Sequence, residues 1–202
     1  MPYFRKKFCV RLGIRPGVII EENFTKHEES ARPHVEDHYA SGIVKSGYCS
    51  EEEFRNLLRA SFHSSIAEGF EVEIEEGQKH IKHDTAPSRS LLTIRVNPRT
   101  IQIMQSQFDP EKIQISFCDL SNRWFNYLSI TDLVLFQHLR SCQDNDKEIQ
   151  SVKQAIQSSK EVYLRIGLSR IFESSDGRKG YWIQVNGVYP FPDCLDIFQA
   201  GD

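Results

Sequence analysis

Apolar residues recur at two spacings along the chain, one helical and one strand-like, and the strand-like spacing dominates. Residues 7–12 read as a short strand ended by Gly13 and the Pro16-Gly17 turn pair, and Val18-Ile19-Ile20 as a second strand. Residues 21–41 are polar, rich in Glu and His, and read as a loop or short helix. Ser50-Glu51-Glu52-Glu53 has the pattern of a capping box, with the serine hydroxyl accepting from the Glu53 amide and the Glu53 carboxylate accepting in return. Phe54, Leu57, Leu58 and Phe62 follow at helical spacing, which predicts a helix over residues 50–62. Its apolar stripe needs a sheet to cover.

Beyond residue 69 the period falls to two. Phe70, Val72 and Ile74 alternate with Glu71, Glu73 and Glu75. Residues 90–96 predict a strand stopped by Asn97-Pro98, and residues 100–104 another. Ile113, Ile115 and Phe117 share one face of residues 112–118, residues 119–122 supply a turn, and residues 123–130 return as the second arm of a hairpin. In the polar stretch 141–160, Ile149, Val152 and Ile156 mark a thinly amphipathic surface helix or a connector between sheets. Residues 161–168 and 181–186 then form a second hairpin with Asp176-Gly177 in its loop. Pro190 and Pro192 are expected to end it, since proline has no N–H for a central strand. The prediction is a mainly β fold with minor α.

Composition narrows the class. The chain has 202 residues, 25 Lys and Arg against 28 Asp and Glu, and a net charge of −3. That length accommodates one large domain or two small ones. No apolar run approaches the roughly 20 residues needed to span a bilayer, and the basic start has no apolar signal core behind it. A cytoplasmic protein is expected. The five cysteines are scattered, without a C-x-x-C pair, which suits free thiols in a reducing compartment better than disulfides or structural zinc. With no global positive field, phosphate neutralisation cannot drive duplex binding. Contact with nucleic acid would have to be local.

Candidate chemistry is sparse. His34 and His38 are four apart, as helix-borne metal ligands would be, but neither zinc-protease pattern surrounds them, and exposed polar residues are the simpler reading. His80 and His83 have no third ligand nearby in sequence. Glu71, Glu73 and Glu75 read as a solvated face. No nucleophile elbow, phosphate loop or deaminase motif is present, so neither catalytic residues nor a metal or cofactor is expected.

The terminal hairpin carries the sharpest candidate. Val162, Leu164, Ile166 and Leu168 form one face of its first strand, matched by Tyr181, Ile183 and Val185 on the return. The other face would gather Tyr163, Arg165, Trp182, Gln184 and Asn186. An aromatic plane beside a guanidinium and two amides suits stacking a base and reading its edge. If another element covers this face, Trp182 becomes a core residue and Arg165 an ion-pair partner. A weaker patch is residues 122–127, where Arg123 and polar groups interleave with Trp124, Phe125 and Tyr127.

The order of motifs carries a resemblance. Arg32-Pro33-His34 leads to Asp37-His38-Tyr39, then to residues 90–96, residues 113–119 and Ile130-Thr131-Asp132-Leu133, and residues 163–168 and 182–186 close the chain. Over residues 30–195 this resembles the bacterial dual OB-containing domain family. The family's Ser-Arg-Lys segment, followed by Gly and Cys, has no counterpart, and Gly13-Ile14-Arg15-Pro16 is similar to the Trp-Ile-Arg-Pro element that follows it. The resemblance implies two tandem OB-like β-barrels with one or two short helices, the first over residues 1–108 with the 50–62 helix, the second over 109–202. It also implies a nucleic-acid- or nucleotide-binding adaptor beside bacterial defence and conflict effectors, with no catalytic residues to carry over.

Two functions are therefore weighed, with an enzyme holding a metal through His34, His80 or His83 placed behind both. One is a non-enzymatic module contacting single-stranded nucleic acid or a nucleotide through a strand face and a local basic groove. The other is an adaptor docking an effector protein without nucleic acid, which the acidic residues Glu71, Glu73 and Glu75 and the segment 144–148 suit better.

Overall fold

The computed structural model describes residues 6–27, 31–85, 87–109, 111–141 and 145–194, so Cys142 and Asp144 lie outside the described residues. Its elements are, in order, α1 (Lys6–Leu12), β1 (Val18–Lys26), β2 (His38–Tyr48), α2 (Glu51–Ser61), β3 (Phe62–His63), α3 (Ile66–Phe70), β4 (His80–Lys82) and β5 (Leu91–Val96). A 3-10 turn (Pro98–Thr100) follows, then β6 (Gln102–Gln105), β7 (Ile113–Cys118), β8 (Trp124–Ile130), α4 (Leu133–Ser141), α5 (Asn145–Ser158), β9 (Glu161–Glu173) and β10 (Lys179–Phe191).

β1 and β2 form a two-stranded ribbon of their own. The remaining strands make one sheet in the order β3-β5-β9-β10-β8-β7-β6, with β4 added to β10. The structure is mainly β, as expected, but its sheets do not close into barrels. β3, two residues long, and β6, four, end the large sheet without pairing with each other. Hydrogen bonds also link the two halves of the chain. β6 pairs with β7 across residues 108–109, and β5 pairs with β9 from Leu91↔Gly167 to Val96↔Val162.

The inner face of the sheet is the main core. Ile94, Ile115, Ile166 and Val185 are fully enclosed there with Phe70 of α3, Leu135 of α4 and Ile156 of α5. Each such side chain contributes about 1.5–3 kcal/mol relative to exposure. Ile149, Val152 and Ile156 thus form the buried stripe of α5 rather than a surface decoration. Asp132 locks α4 to the sheet: its carboxylate accepts from the N–H groups of Val134 (2.9 Å) and Leu135 (3.1 Å) at the helix start and of Val188 (3.0 Å) on β10. Burial raises its pKa, and those three bonds pull the other way.

α2 forms where its capping box predicts. Ser50 N–H donates to Glu53 Oε2 at 2.7 Å, and Glu53 N–H to Ser50 Oγ at 3.2 Å. Its stripe covers the outer face of the sheet at one end, where Leu58 and Phe54 meet Tyr163, Tyr189 and Phe191 in a second cluster. Glu161, at the start of β9, accepts from Arg55 Nε at 3.0 Å and Arg59 Nη2 at 2.6 Å and ties the helix down.

Four local expectations are corrected. Residues 7–12 lie in a helix, because Phe8 and Leu12 satisfy helical spacing as well as alternation. The two ends of 21–41, residues 21–26 and 38–41, belong to the β1–β2 ribbon, whose faces are so largely solvated that no apolar alternation marks it. Residues 70–74 are not a strand: Glu71 is left-handed (φ 58°) and caps α3, so Val72 and Ile74 reach the core from irregular backbone. β10 runs on through Pro190, which lies opposite Val162. Val188, of the same parity, sends its N–H away from β9 to Asp132, so the N–H that Pro190 lacks faces a side without a strand.

Candidate nucleotide-contact pocket

On one side, β10 changes partner midway. β4 pairs with it over Gly180–Trp182 and β8 takes over at Gln184 and Val185. Lys79 sits at the handover, its carbonyl accepting from Ile183 N–H at 2.9 Å. The outer face here opens into a pocket of about 630 Å³, lined by Lys79, by β7 and β8 residues, by the outer half of β9 and by Trp182 and Gln184.

Strand register sets the floor. Gln114 pairs with Ser129, Ser129 with Gln184, and Gln184 with Gly167, so a polar row crosses four strands on one face. Neither the Ser129 hydroxyl nor the Gln184 amide has a hydrogen-bond partner among the described residues. Gln114 Nε2 makes one long bond, to the Tyr127 carbonyl at 3.4 Å. Tyr127 occupies the bulge where the β7–β8 register shifts, with φ of 56° and its N–H donated to Ser116 Oγ at 3.0 Å. Its ring and that of Phe172 are the exposed aromatics of the wall.

Charge in the pocket is uneven. Lys112 pairs with Asp109 at 3.1 Å, and Arg170 with Asp37. Arg178, beside Trp182, pairs with Asp176 at 2.6 Å. Lys79 has no carboxylate partner among the described residues; its ammonium lies 5.1 Å from the Tyr127 ring centre. Burial, reinforced by Arg178, holds its pKa below the usual lysine range. A net charge of −3 therefore coexists with one uncompensated cation inside a concave, aromatic-walled site.

The residues singled out in the sequence do not all reach this site. Trp182 and Gln184 line it. Asn186 sits at the second β9–β10 register shift and folds over Gly167, where an added Cβ would lie 2.1 Å from its Oδ1, so it stands beside Gln184 on the same face. Arg165 lies one ladder step further along, opposite Gly187 and near the Tyr189 phenol. Tyr163 is fully buried under α2, with Phe62 and Phe191 around it, and meets no solvent. Arg123 belongs to the β7–β8 turn, donating its backbone N–H to Asp119 Oδ1 at 3.1 Å, and does not line the pocket.

Trp182 is a wall more than a platform. His80 stacks against it at 5.2 Å, the Arg178 guanidinium lies 5.2 Å from its ring centre, and Phe172 meets it edge-on at 6.4 Å. Its indole N–H donates to the Phe172 carbonyl at 3.3 Å. Sequence reasoning missed Lys79, Ser129 and Phe172; only Tyr127 carried a signal, as part of the weaker patch.

The histidine pairs do other things. His34 is packed near Tyr181 and its pKa is lowered, chiefly by burial, while exposed His38 donates from Nδ1 to the Glu36 carbonyl at 2.7 Å. Among the described residues no three His, Cys, Asp or Glu side chains are grouped to hold a metal ion. Glu71, Glu73 and Glu75 are exposed.

No described helix is long and apolar enough to cross a membrane. No curated protein and no solved structure matches the chain. The family model of the dual OB-containing domain matches residues 13–188.

Proposed function

The chain belongs to the dual OB-containing domain family, and from that premise we propose that it is a non-enzymatic binding module contacting single-stranded nucleic acid or a nucleotide through the pocket between β8 and β10. The bacterial defence setting and the tandem OB-like organisation implied by the family resemblance belong to the same proposal. One observation carries it: exposed Tyr127 and Phe172 rings, the unpaired Lys79 and the open Gln184 amide converge on a single concavity. Aromatic planes with a local cation are what single strands bind, and stacking tolerates any sequence.

The test is fluorescence anisotropy of labelled oligo(dT) and oligo(U) with the full chain at low and raised salt. Binding that weakens with salt is expected. Phe172→Ala, at an exposed site where folding is little affected, should weaken it about 5- to 150-fold. Failure of the parent to bind either strand or a mononucleotide at low salt would refute the reading.

The β1–β2 ribbon favours the second reading, an adaptor that docks a protein. Phe24, Tyr39, Val44 and Tyr48 are all more than half exposed on it, an unusual density for a solvated ribbon. A partner held equally after nuclease treatment, and lost on Val44→Ser, would favour this reading over the first.

A further inference from the structure

Lys79 and the size of the pocket narrow the ligand. The volume of about 630 Å³ falls in the range of roughly 300–1,000 Å³ typical of sites that enclose one small ligand. OB folds that track a strand use grooves spanning about 4–16 nucleotides. The lining cations Lys112 and Arg170, and Arg178 beside Trp182, are each matched by an aspartate. Among the described residues of the pocket Lys79 alone is left to meet an anion, and it lies against Tyr127, a ring that can take a base. Ser129 and Gln184, one ladder step apart, offer unpaired donors and acceptors on the floor.

We propose that this pocket holds a single nucleotide unit, with its phosphate against the Lys79 ammonium, its base against Tyr127 and Phe172, and its base edge at Gln184 and Ser129. The proposal rests on the nucleic-acid reading above and specifies its ligand. A free mononucleotide and one residue of a strand share this chemistry, and the experiment separates them. An entering phosphate supplies the counter-charge that Lys79 lacks, so it adds affinity that the base alone does not reach.

The experiment titrates thymidine, thymidine monophosphate, adenosine, adenosine monophosphate and labelled oligo(dT) into the parent, Lys79→Gln, Lys79→Arg and the control Lys160→Gln, each verified as folded by its thermal melt. Monophosphates should bind the parent about 10- to 100-fold more tightly than their nucleosides, the worth of a charge-assisted contact. Lys79→Gln should remove that advantage and leave nucleoside affinity unchanged, Lys79→Arg should keep most of it, and Lys160→Gln all of it. Monophosphate that binds and displaces the strand assigns the free nucleotide as a ligand. Strand binding without measurable monophosphate binding, weakened at least tenfold by Lys79→Gln, assigns the unit within a strand. If the parent binds oligo(dT) and Lys79→Gln binds it equally well, or if Lys79→Gln weakens nucleoside and monophosphate alike, the single-nucleotide assignment is wrong and the general reading survives. If the parent binds no strand and no mononucleotide, both fall.

Discussion

Tyr127 should be less stable as alanine than as glycine, the reverse of the order at an ordinary strand position. Its φ of 56° places a Cβ-bearing residue in the left-handed region, which costs about 1–2 kcal/mol. The ring returns little of that. It is 52% exposed and rests against Lys79 at 5.1 Å, a cation–π contact worth about 0.5–1 kcal/mol at such a site. Tyr127→Ala keeps the backbone cost and loses the ring. Tyr127→Gly loses the same ring, sheds the backbone cost, and gains about 0.5–1 kcal/mol of unfolded-state entropy to overcome. Glycine should therefore exceed alanine by about 0.5–1 kcal/mol in urea unfolding at equal m values. Asn126, next along β8 with ordinary φ, is the control, where alanine should win by a similar margin. Both Tyr127 variants should lose oligonucleotide affinity. Alanine equal to or more stable than glycine at 127 would refute the claim that strain is stored at the pocket wall.

Two further outcomes follow from the geometry. Glu161, with its side chain 12% exposed between Arg55 and Arg59, has its pKa drawn from 4.5 to about 2, first by the Arg55 hydrogen bond and against some burial. That depression corresponds to about 3 kcal/mol, and because both guanidiniums are a third or more exposed, screening leaves about 1–2 kcal/mol. Its folded pKa lies below the unfolded one, so the contribution is complete above about pH 4.5 and disappears as pH falls toward 2; Glu161→Gln should lose it at pH 7 and flatten urea midpoints across that window, and an unchanged pH profile would contradict the assignment. Gly180→Ala would place a Cβ 2.2 Å from the Ile81 carbonyl, which is backbone and cannot swing aside. It should cost about 1–3 kcal/mol and weaken oligonucleotide binding by displacing β4 and Lys79, whereas Gly167→Ala, whose nearest contacts are the end of the exposed Asn186 side chain, should melt near the parent.

What was legible in the sequence was local. The Ser50–Glu53 box and the stripe behind it mark α2 because all their partners lie within a few turns. The β7–β8 and β9–β10 hairpins are visible because their faces alternate and their turns are short. Beyond Val18–Ile20 the β1–β2 ribbon is hidden for the opposite reason: with no fully buried face, its residues have little period to display. Burial direction was legible too, since Val72 and Ile74 do reach the core, although not from a strand.

The pocket was only half visible, and the reason is topological. Strict alternation predicts Tyr163 and Trp182 on one open face, and they do lie on the outer side of the sheet. What period two cannot show is that α2, held by Glu161 at the start of β9, lies over Tyr163, or that the β9–β10 register slips at Trp182 and Asn186. The large aromatics of the hairpin therefore divide: Tyr163 seals a helix onto the sheet and Trp182 is braced by His80, while smaller signals carry the open chemistry. Lys79 and Tyr127 come from segments 48 residues apart and meet because β10 exchanges β4 for β8 between them. A strand that changes partner leaves a gap in the ladder that side chains cannot fill from one element alone. The uncompensated charge and the strained ring both stand at that gap, which is why a site made by pairing order leaves so little trace in spacing.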